Sequence, residues 1–315
     1  MTDILQLSIV ANNKVVSKYY RKIKKNAPNF EEKKIRVYIS TCRETVVMQH
    51  ISKSIAKSFK NMGCKVKFYI QKNDMEACGA LANLKTQYKF NPHMIFNINH
   101  FNNEYIHSSV YNFVWFQDTM TVLQEKAAIF KRRNDYTFHL TKGLGSLLKD
   151  KKINSRYQNF CIDSDLYKKR KNIKRENKII YIGNSYFSRI EDNLDKRICN
   201  ELIKLYDRFS VITQEMLQVI KDDFQVEFEK VHLILGYVEK DILILKLAAL
   251  QTKYIFEIYG MGWESYKELD TVHKGILTYG EDISKAYNQS TYAFVPGSYI
   301  LQQRTLEAAA SGCIP

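Results

Sequence analysis

Four side chains in this sequence are of the types that move protons or hold phosphate. His100 follows the apolar run MIFNIN and Asp118 follows VWFQ. Either an imidazole or a carboxylate can take the proton of a hydroxyl, and the imidazole is the easier base near neutrality. Arg189 and Arg304 carry planar guanidinium groups suited to charge-assisted, paired contacts with phosphate. Glu44 is a third candidate base, although a first-turn acid favoured by the dipole of the following helix describes it better. Other chemistries are excluded. The chain has neither GxGxxG nor GxxxxGK[ST], so the dinucleotide-binding turn and the P-loop are both missing. Its six cysteines (Cys42, Cys64, Cys78, Cys161, Cys199 and Cys313) form no CxxC pair and no zinc-type spacing, which fits reduced, mostly buried thiols. Asp163-Ser164-Asp165 is a DxD, two carboxylates able to share a divalent cation. It lies in a polar, basic segment, so it is read as a turn and no metal site is expected.

The elements that position these residues follow from hydrophobic periodicity. Residues 3–26 predict a basic helix that ends before Pro28. Strands are then expected at 36–40, 65–70, 94–99, 111–116 and 136–140, with helices at 46–62, 75–83, 120–130 and from Lys142. A polar, charged stretch, IDSDLYKKRKNIKREN, follows Cys161. A second series begins with a strand at 178–182 and a long helical region over 193–251, broken near Ser210 and Phe224. Strands at 254–259, 275–278 and 292–295, a helix at 282–289 and a helix at 303–311 capped by Gly312 complete it. Strands alternating with helices predict parallel sheets covered on both faces. The expected organisation is a basic N-terminal helical segment (1–34), a Rossmann-like domain (35–165), a basic hinge (166–177) and a second Rossmann-like domain (178–315). In open α/β sheets ligands bind beyond the carboxyl ends of the strands. That rule selects 41–44, His100 and Gln117-Asp118 in the first half, and 183–189, 260–263 and 297–304 in the second.

The 315 residues include 48 Lys and Arg against 33 Asp and Glu, a net charge of +15. Nearly all the excess sits in 14–34, with eight cations and two acids, and in 149–178, with eleven and four. Two readings stay open: a docking surface for anionic lipid or polymer, and, more commonly for such runs, a solvated helix face and a solvated hinge. A nucleic-acid partner is suggested only by charge and tyrosine content and is not expected. The N-terminus lacks a basic n-region and a long apolar run, so no secretory signal is expected. A cytoplasmic protein is the expectation, with its basic segments suited to the inner face of a membrane.

Four segments of the second half, YIGNSYFSR (181–189), IYGMGW (258–263), GILTYGEDISKAYNQSTYAFVP (275–296) and RTLEAAASG (304–312), together resemble the group 1 glycosyltransferases of the GT-B superfold. The bacterial spore-maturation type is the nearest in kind. The first half agrees more loosely, through NPHMIFNINH (91–100), VWFQD (114–118), YTFHLTKGLGSLL (136–148) and NFCIDSDLY (159–167). The last of these stands where relatives carry an Asn-Gly-Val-Asp hinge signature. The resemblance implies two α/β domains facing a cleft and transfer of a sugar from a UDP- or GDP-linked donor, with no cofactor, to a glycan, lipid-linked or protein acceptor. It places Glu307 on the ribose hydroxyls. Arg304 and Arg189 fall to the departing diphosphate, Gly183, Asn184, Gly260 and Gly262 to close backbone approach, and Tyr279 to the base edge. Gly297 and Ser298 precede a helix whose N-terminus suits phosphate, and His100 or Asp118 would be the acceptor base. Trp263 reads as core, and Glu307 alternatively as a helix-stabilising acid. Two departures stand out. Tyr299 occupies the place of a second Glu found in many retaining relatives, which puts retaining chemistry in doubt. Relatives also continue past the position of Pro315, so a truncated C-terminal domain is expected.

Overall fold

The computed structural model describes residues 2–43, 46–72, 81–125, 128–190, 192–209, 211–250, 253–296 and 301–315, with the backbone alone for 2–12 and Arg189. The chain divides into two compact units, Met1–Ile162 and Asp163–Pro315.

The first unit is built on six parallel strands, β1 (Arg36–Thr41), β2 (Lys65–Ile70), β3 (Met94–Ile98), β4 (Tyr111–Phe116), β5 (Asp135–His139) and β6 (Ser155–Tyr157), in the order β2-β1-β3-β4-β5-β6. Val37, Tyr38 and Ile39 are consecutive and all buried, as are Val114, Trp115 and Phe116. Unbroken apolar runs of this kind mark strands covered on both faces, as parallel strands are. The covering helices are α2 (Val46–Asn61), α3 (Leu81–Phe90) and α5 (Lys142–Asp150). The hydroxyl of Thr141 caps α5 by accepting the N–H of Leu144 at 3.1 Å. The basic helix α1 (Thr2–Lys25) is held by buried Ile23 and by edge-on contacts of Tyr19 with Tyr88 and of Tyr20 with Tyr105.

Two expected helices differ. The start of the helix at 75–83 lies outside the described residues, and α3 continues seven residues past Asn83 to Phe90. Leu84 and Gln87 are buried in this extension and Tyr88 meets Tyr19, contacts that local periodicity does not contain. Among the described residues of the helix expected at 120–130 there is one turn, α4 (Thr121–Gln124). The carbonyl of Phe130 accepts instead from the Asn103 side chain at 2.6 Å, so a tertiary bond fixes that backbone outside a helix.

The second unit has three parallel strands, β7 (Glu176–Ile182), β8 (Ile255–Tyr259) and β9 (Ser290–Ala293), in the order β8-β7-β9. Between β7 and β8 run α6 (Asn193–Arg208), α7 (Gln214–Phe224) and α8 (Phe228–Ala249). Their packed faces supply a core of Ile198, Leu202, Leu217, Ile220, Ile234 and Val238. Asp192 and Thr213 cap α6 and α7 through bonds to the Asp195 and Met216 N–H groups, so Thr213 restarts the helix after the expected break near Ser210; at the other expected break Gln225, at φ +51°, ends α7 just after Phe224. α9 (Glu281–Gln289) and α10 (Gln303–Ala310) follow, the latter closed by Gly312 at φ +80°. The strand expected at 275–278 does not form. His273 alone bridges to Ile258, and Gly275 at φ +87° turns the chain away.

Residues 166–177 are laced onto this unit. The Arg170 N–H donates to Asn288 Oδ1 at 2.7 Å, and its guanidinium pairs with Glu281. Asn288 donates back to the Lys168 carbonyl, and Arg175 donates to the carbonyls of Ser290 and Ser311. Asp163 forms a turn: its Oδ1 accepts the Asp165 N–H at 3.0 Å, and its carbonyl accepts from Tyr167 at 2.8 Å. Among the described residues no group of three or more His, Cys, Asp or Glu side chains could hold a metal ion.

Candidate functional site

In both sheets the first strand lies between the next two, so successive connections leave it in opposite directions. The carboxyl ends of the strands at such a reversal form a natural crevice. In the first unit the crevice falls at the ends of β1 and β3. After β1, Arg43 is held by Gln71 Oε1 on its N–H and by the Lys72 carbonyl on its guanidinium; Glu44 lies outside the described residues. After β3 comes Asn99 at φ +63°, buried, with its Oδ1 accepting the N–H groups of Gln117 (2.7 Å) and Asp118 (3.2 Å) and its Nδ2 donating to Asp118 Oδ2 (2.8 Å). This one amide ties the ends of β3 and β4 together. Asp118 therefore does not cap the next helix: α4 starts from Met120 with no side-chain cap. His100 and Asp118, both exposed, stand on either side of Asn99. Although His100 is open to solvent on one side, the protein packed around the rest of its ring desolvates it and holds it below the ordinary imidazole pKa, so near pH 7 the ring is neutral and able to accept a proton. Gln117 beside them is buried, and its Nε2 has no acceptor among the described residues.

Behind this edge a buried ion pair fixes the connection from β3 to β4. Asp135 accepts from the Arg132 N–H (2.7 Å), Arg132 Nε (3.2 Å) and Asn103 Nδ2 (2.8 Å), and Arg132 donates to the carbonyls of His107 and Val110. The loop that follows His100 is thereby anchored at both of its ends.

In the second unit the loops after β7 and β8 are zipped together. The Gly183 N–H donates to the Tyr259 carbonyl, Met261 N–H to Asn184 Oδ1, Ser185 N–H to the Met261 carbonyl and Trp263 Nε1 to the Gly183 carbonyl, all within 2.7–3.0 Å. Gly260, at φ +147°, lies where an added Cβ would come 2.1 Å from the Gly183 carbonyl oxygen. The close approach that this glycine permits is thus to the neighbouring loop. Trp263 is fully buried in the core with Tyr181, Ile244 and Ile258. Gly260→Ala is expected to cost at least about 2 kcal/mol, combining backbone strain with the clash. Gly275→Ala, at φ +87° with open space around it, should cost only about 1 kcal/mol. Urea denaturation of the two variants measures the difference.

Asp241 of α8 fastens the same loops from below. It is buried, and its Oδ2 accepts from Ser185 Oγ (2.5 Å) and Tyr266 OH (3.0 Å). Burial pushes its pKa up, against the lowering effect of those two bonds.

Glu307, Arg304 and Tyr279 come together. Glu307 is 0% exposed. Its Oε1 accepts from Tyr279 OH (3.0 Å) and Gln303 Nε2 (2.9 Å), and its Oε2 from Arg304 Nη1 (2.7 Å). The Arg304 guanidinium also lies 5.0 Å from the Tyr279 ring centre. Burial, the largest single effect, would lower the Arg304 pKa, and the Glu307 carboxylate together with Tyr287, Tyr279 and Tyr167 more than reverses it. Burial and the same carboxylate both push Tyr279 up. The hydroxyl of Tyr167, buried and raised by desolvation and then by Glu307, has no hydrogen-bond partner among the described residues. Arg189 sits in a 3-10 turn, Phe187–Arg189, and its side chain lies outside the described residues, as do Gly297 and Ser298.

Sequence reasoning passed over Asn99, Gln303 and Asp241. Asp241 had a signal: on α8 it falls in register with buried Ile234, Val238 and Ile242, a charged residue at a core position. Asn99 had a weaker one, as the residue that ends a strand in a conformation asparagine tolerates. Comparison of the chain with protein-family models, with curated proteins and with solved structures found no match.

Proposed function

We propose that the protein is a metal-independent glycosyltransferase of the GT-B arrangement, moving a sugar from a UDP- or GDP-linked donor to a hydroxyl of a glycan, lipid-linked or protein acceptor. In this reading the second unit binds the donor, and the first supplies the acceptor side with His100 or Asp118 as base. The observation that carries it is the meeting of Tyr279, Arg304 and Glu307 in one hydrogen-bonded cluster, since the resemblance selected all three separately and Tyr279 lies 28 residues from Glu307. A guanidinium beside the leaving diphosphate would stabilise the charge that grows as the glycosidic bond breaks. The neutral state of His100 suits it to take the acceptor proton.

Work at a cytoplasmic membrane face belongs to the same reading. Lys14, Lys18, Arg21, Lys22, Lys24 and Lys25 of α1 are all exposed, and basic residues close to an anionic leaflet contribute about 1 kcal/mol each. No described helix is long and apolar enough to cross a membrane.

A second reading, a non-catalytic relative that binds a nucleotide or glycan, is favoured by the engagement of Glu307 with three donors of its own unit. Calorimetric titration with UDP and GDP, followed by turnover of the corresponding nucleotide hexoses in EDTA, separates the two. Saturable binding with EDTA-resistant sugar transfer is the expected result. The transfer rate should fall as the pH drops through the His100 pKa, below the ordinary 6.5, because the protonated ring cannot accept a proton. Binding without turnover selects the second reading, and absence of nucleotide binding removes the first.

A further inference from the structure

Alternate residues of a strand point to opposite faces of its sheet, and the strand registers carry that alternation across the first unit. One face holds Tyr38, Ile95 and His139. Phe90 of α3 packs on it, and so does α5, whose Gly145 lies so close that an added Cβ would meet the His139 ring. The opposite face begins with Val37, Ile39 and Met94, which α2 covers through Ile55, Ala56 and Phe59. It continues with Tyr111 and Phe113 of β4 and Tyr136 and Phe138 of β5, and over these no helix lies among the described residues. Tyr111 is 40% exposed and Tyr136 45%, as is Phe30 at 44%, which meets Tyr111 edge-on. Phe113 and Phe138 are half-buried. Parallel sheets are otherwise covered on both faces, and apolar side chains bared together mark an interaction surface.

We propose that this bare half-face receives one amphipathic α-helix of a partner protein, its apolar stripe against the aromatic rings and acidic residues along its flanks. Size selects a single helix. From β3, under α2, to the edge strand β6 is three interstrand steps of roughly 4.8 Å, about 14 Å in all, and a helix with its side chains is about 10–12 Å across. At the carboxyl end of the strands Trp115 is already buried against Phe160, which closes the bay there. Ring geometry selects side chains over sugars or bases. Phe113 is stacked on Tyr136 at 16° and on Phe138 at 11°, so the ring faces meet one another, whereas a base needs an open ring face on which to stack. Charge selects acidic flanks. Arg156 shares this face beside Phe138, Arg133 precedes β5, and Lys33 and Lys34 follow Phe30, all four exposed. Of the acids beside them, Glu32 is paired with Arg36 and Asp135 with Arg132, which leaves Glu31. A basic rim around an apolar strip complements a helix with the opposite charge on its flanks. The surface lies apart from the strand-end crevice and does not rest on glycosyl transfer.

The test titrates the whole chain into two lactam-bridged helical peptides of about 15 residues, long enough to span a six-residue strand, and follows fluorescence anisotropy. Both peptides carry the same leucine stripe, one with glutamate and the other with lysine at the remaining positions. The glutamate peptide should bind saturably and about 10-fold more tightly than the lysine peptide, the value of a few exposed ion pairs. Tyr136→Asp, a change at an exposed position that leaves the urea midpoint in place, should abolish binding. Arg156→Glu should bring the two peptides to within a few fold of each other. Absence of saturable binding by the glutamate peptide, equal or tighter binding of the lysine peptide, or full binding by Tyr136→Asp would each overturn the assignment. Self-association of the chain in sedimentation, lost in Tyr136→Asp, would give the face to a second copy and overturn it as well.

Discussion

Asp135→Ala is expected to destabilise the first unit by about 3–5 kcal/mol, the cost of breaking a buried ion pair from one side. The Asp135 side chain is 1% exposed and that of Arg132 8%, so neither charge can turn to water when its partner is removed. Burial already lowers the Arg132 pKa, and Asp135 is the group that opposes that shift. Alanine would strand the guanidinium, leave Asn103 Nδ2 with the Phe130 carbonyl alone and loosen the bonds to the His107 and Val110 carbonyls that pin the connection from β3 to β4. Removing both charges should be far milder: an Arg132→Met/Asp135→Leu double variant should recover most of the loss, because the desolvation penalty disappears with the pair. The two tryptophans lie in different units, so Trp263→Phe leaves buried Trp115 as the reporter of the first. Urea denaturation followed by Trp115 fluorescence then reads the effect in that unit alone. A loss below about 1 kcal/mol for Asp135→Ala would mean that the pair is hydrated and contributes as an exposed one does.

The contrast between this network and the strands around it shows which parts of the fold are legible in the sequence. VYI of β1 and VWF of β4 are apolar without alternation, and that local pattern alone predicts covered, parallel strands. The helical region between β7 and β8, with its two breaks, is legible in the same way from its 3.6-residue period. Where the prediction departs from the structure, a tertiary partner decides. Periodicity continues a helix through Phe130, but Asn103 holds that carbonyl; Gly275, the first residue of the strand expected at 275–278, turns the run aside by a φ that no apolar pattern encodes. The site divides along the same line. Strand-end positions such as His100, Asp118 and Gly260 follow from topology, because the carboxyl edge of a parallel sheet is found by counting strands. What those residues touch does not follow: Asn99 holds the Asp118 carboxylate, and Gly260 admits a neighbouring loop where a ligand was expected.

Glu307→Ala is expected to weaken nucleoside diphosphate binding by about 10 to 150 fold, which is roughly 1.5–3 kcal/mol for a lost charged hydrogen-bond partner. The same substitution should destabilise the second unit by about 3–5 kcal/mol, since Glu307 is fully buried and Arg304 would lose its counter-ion. Both effects have the same sign, so affinity alone does not separate a ribose contact from a carboxylate that only holds Arg304 and Tyr279 in place. Ligand chemistry does. Tyr279 and Gln303 occupy Oε1, and Arg304 takes one position on Oε2; under the proposed reading only the second lone pair of Oε2 is left for a ribose hydroxyl, and because Glu307 is 0% exposed the side chains around it must shift to admit one. Removing the carboxylate and removing the hydroxyls then delete the same bond, and the two losses should not add. For 2′,3′-dideoxy forms of UDP and GDP the penalty of Glu307→Ala should therefore shrink to a few fold. Glu307→Gln, which keeps the shape and one carbonyl oxygen but gives up the charge, should fall between wild type and alanine in both stability and affinity. Equal penalties for ribose and dideoxyribose ligands, measured on variants shown to be folded, would make Glu307 a positioning residue that acts through Arg304.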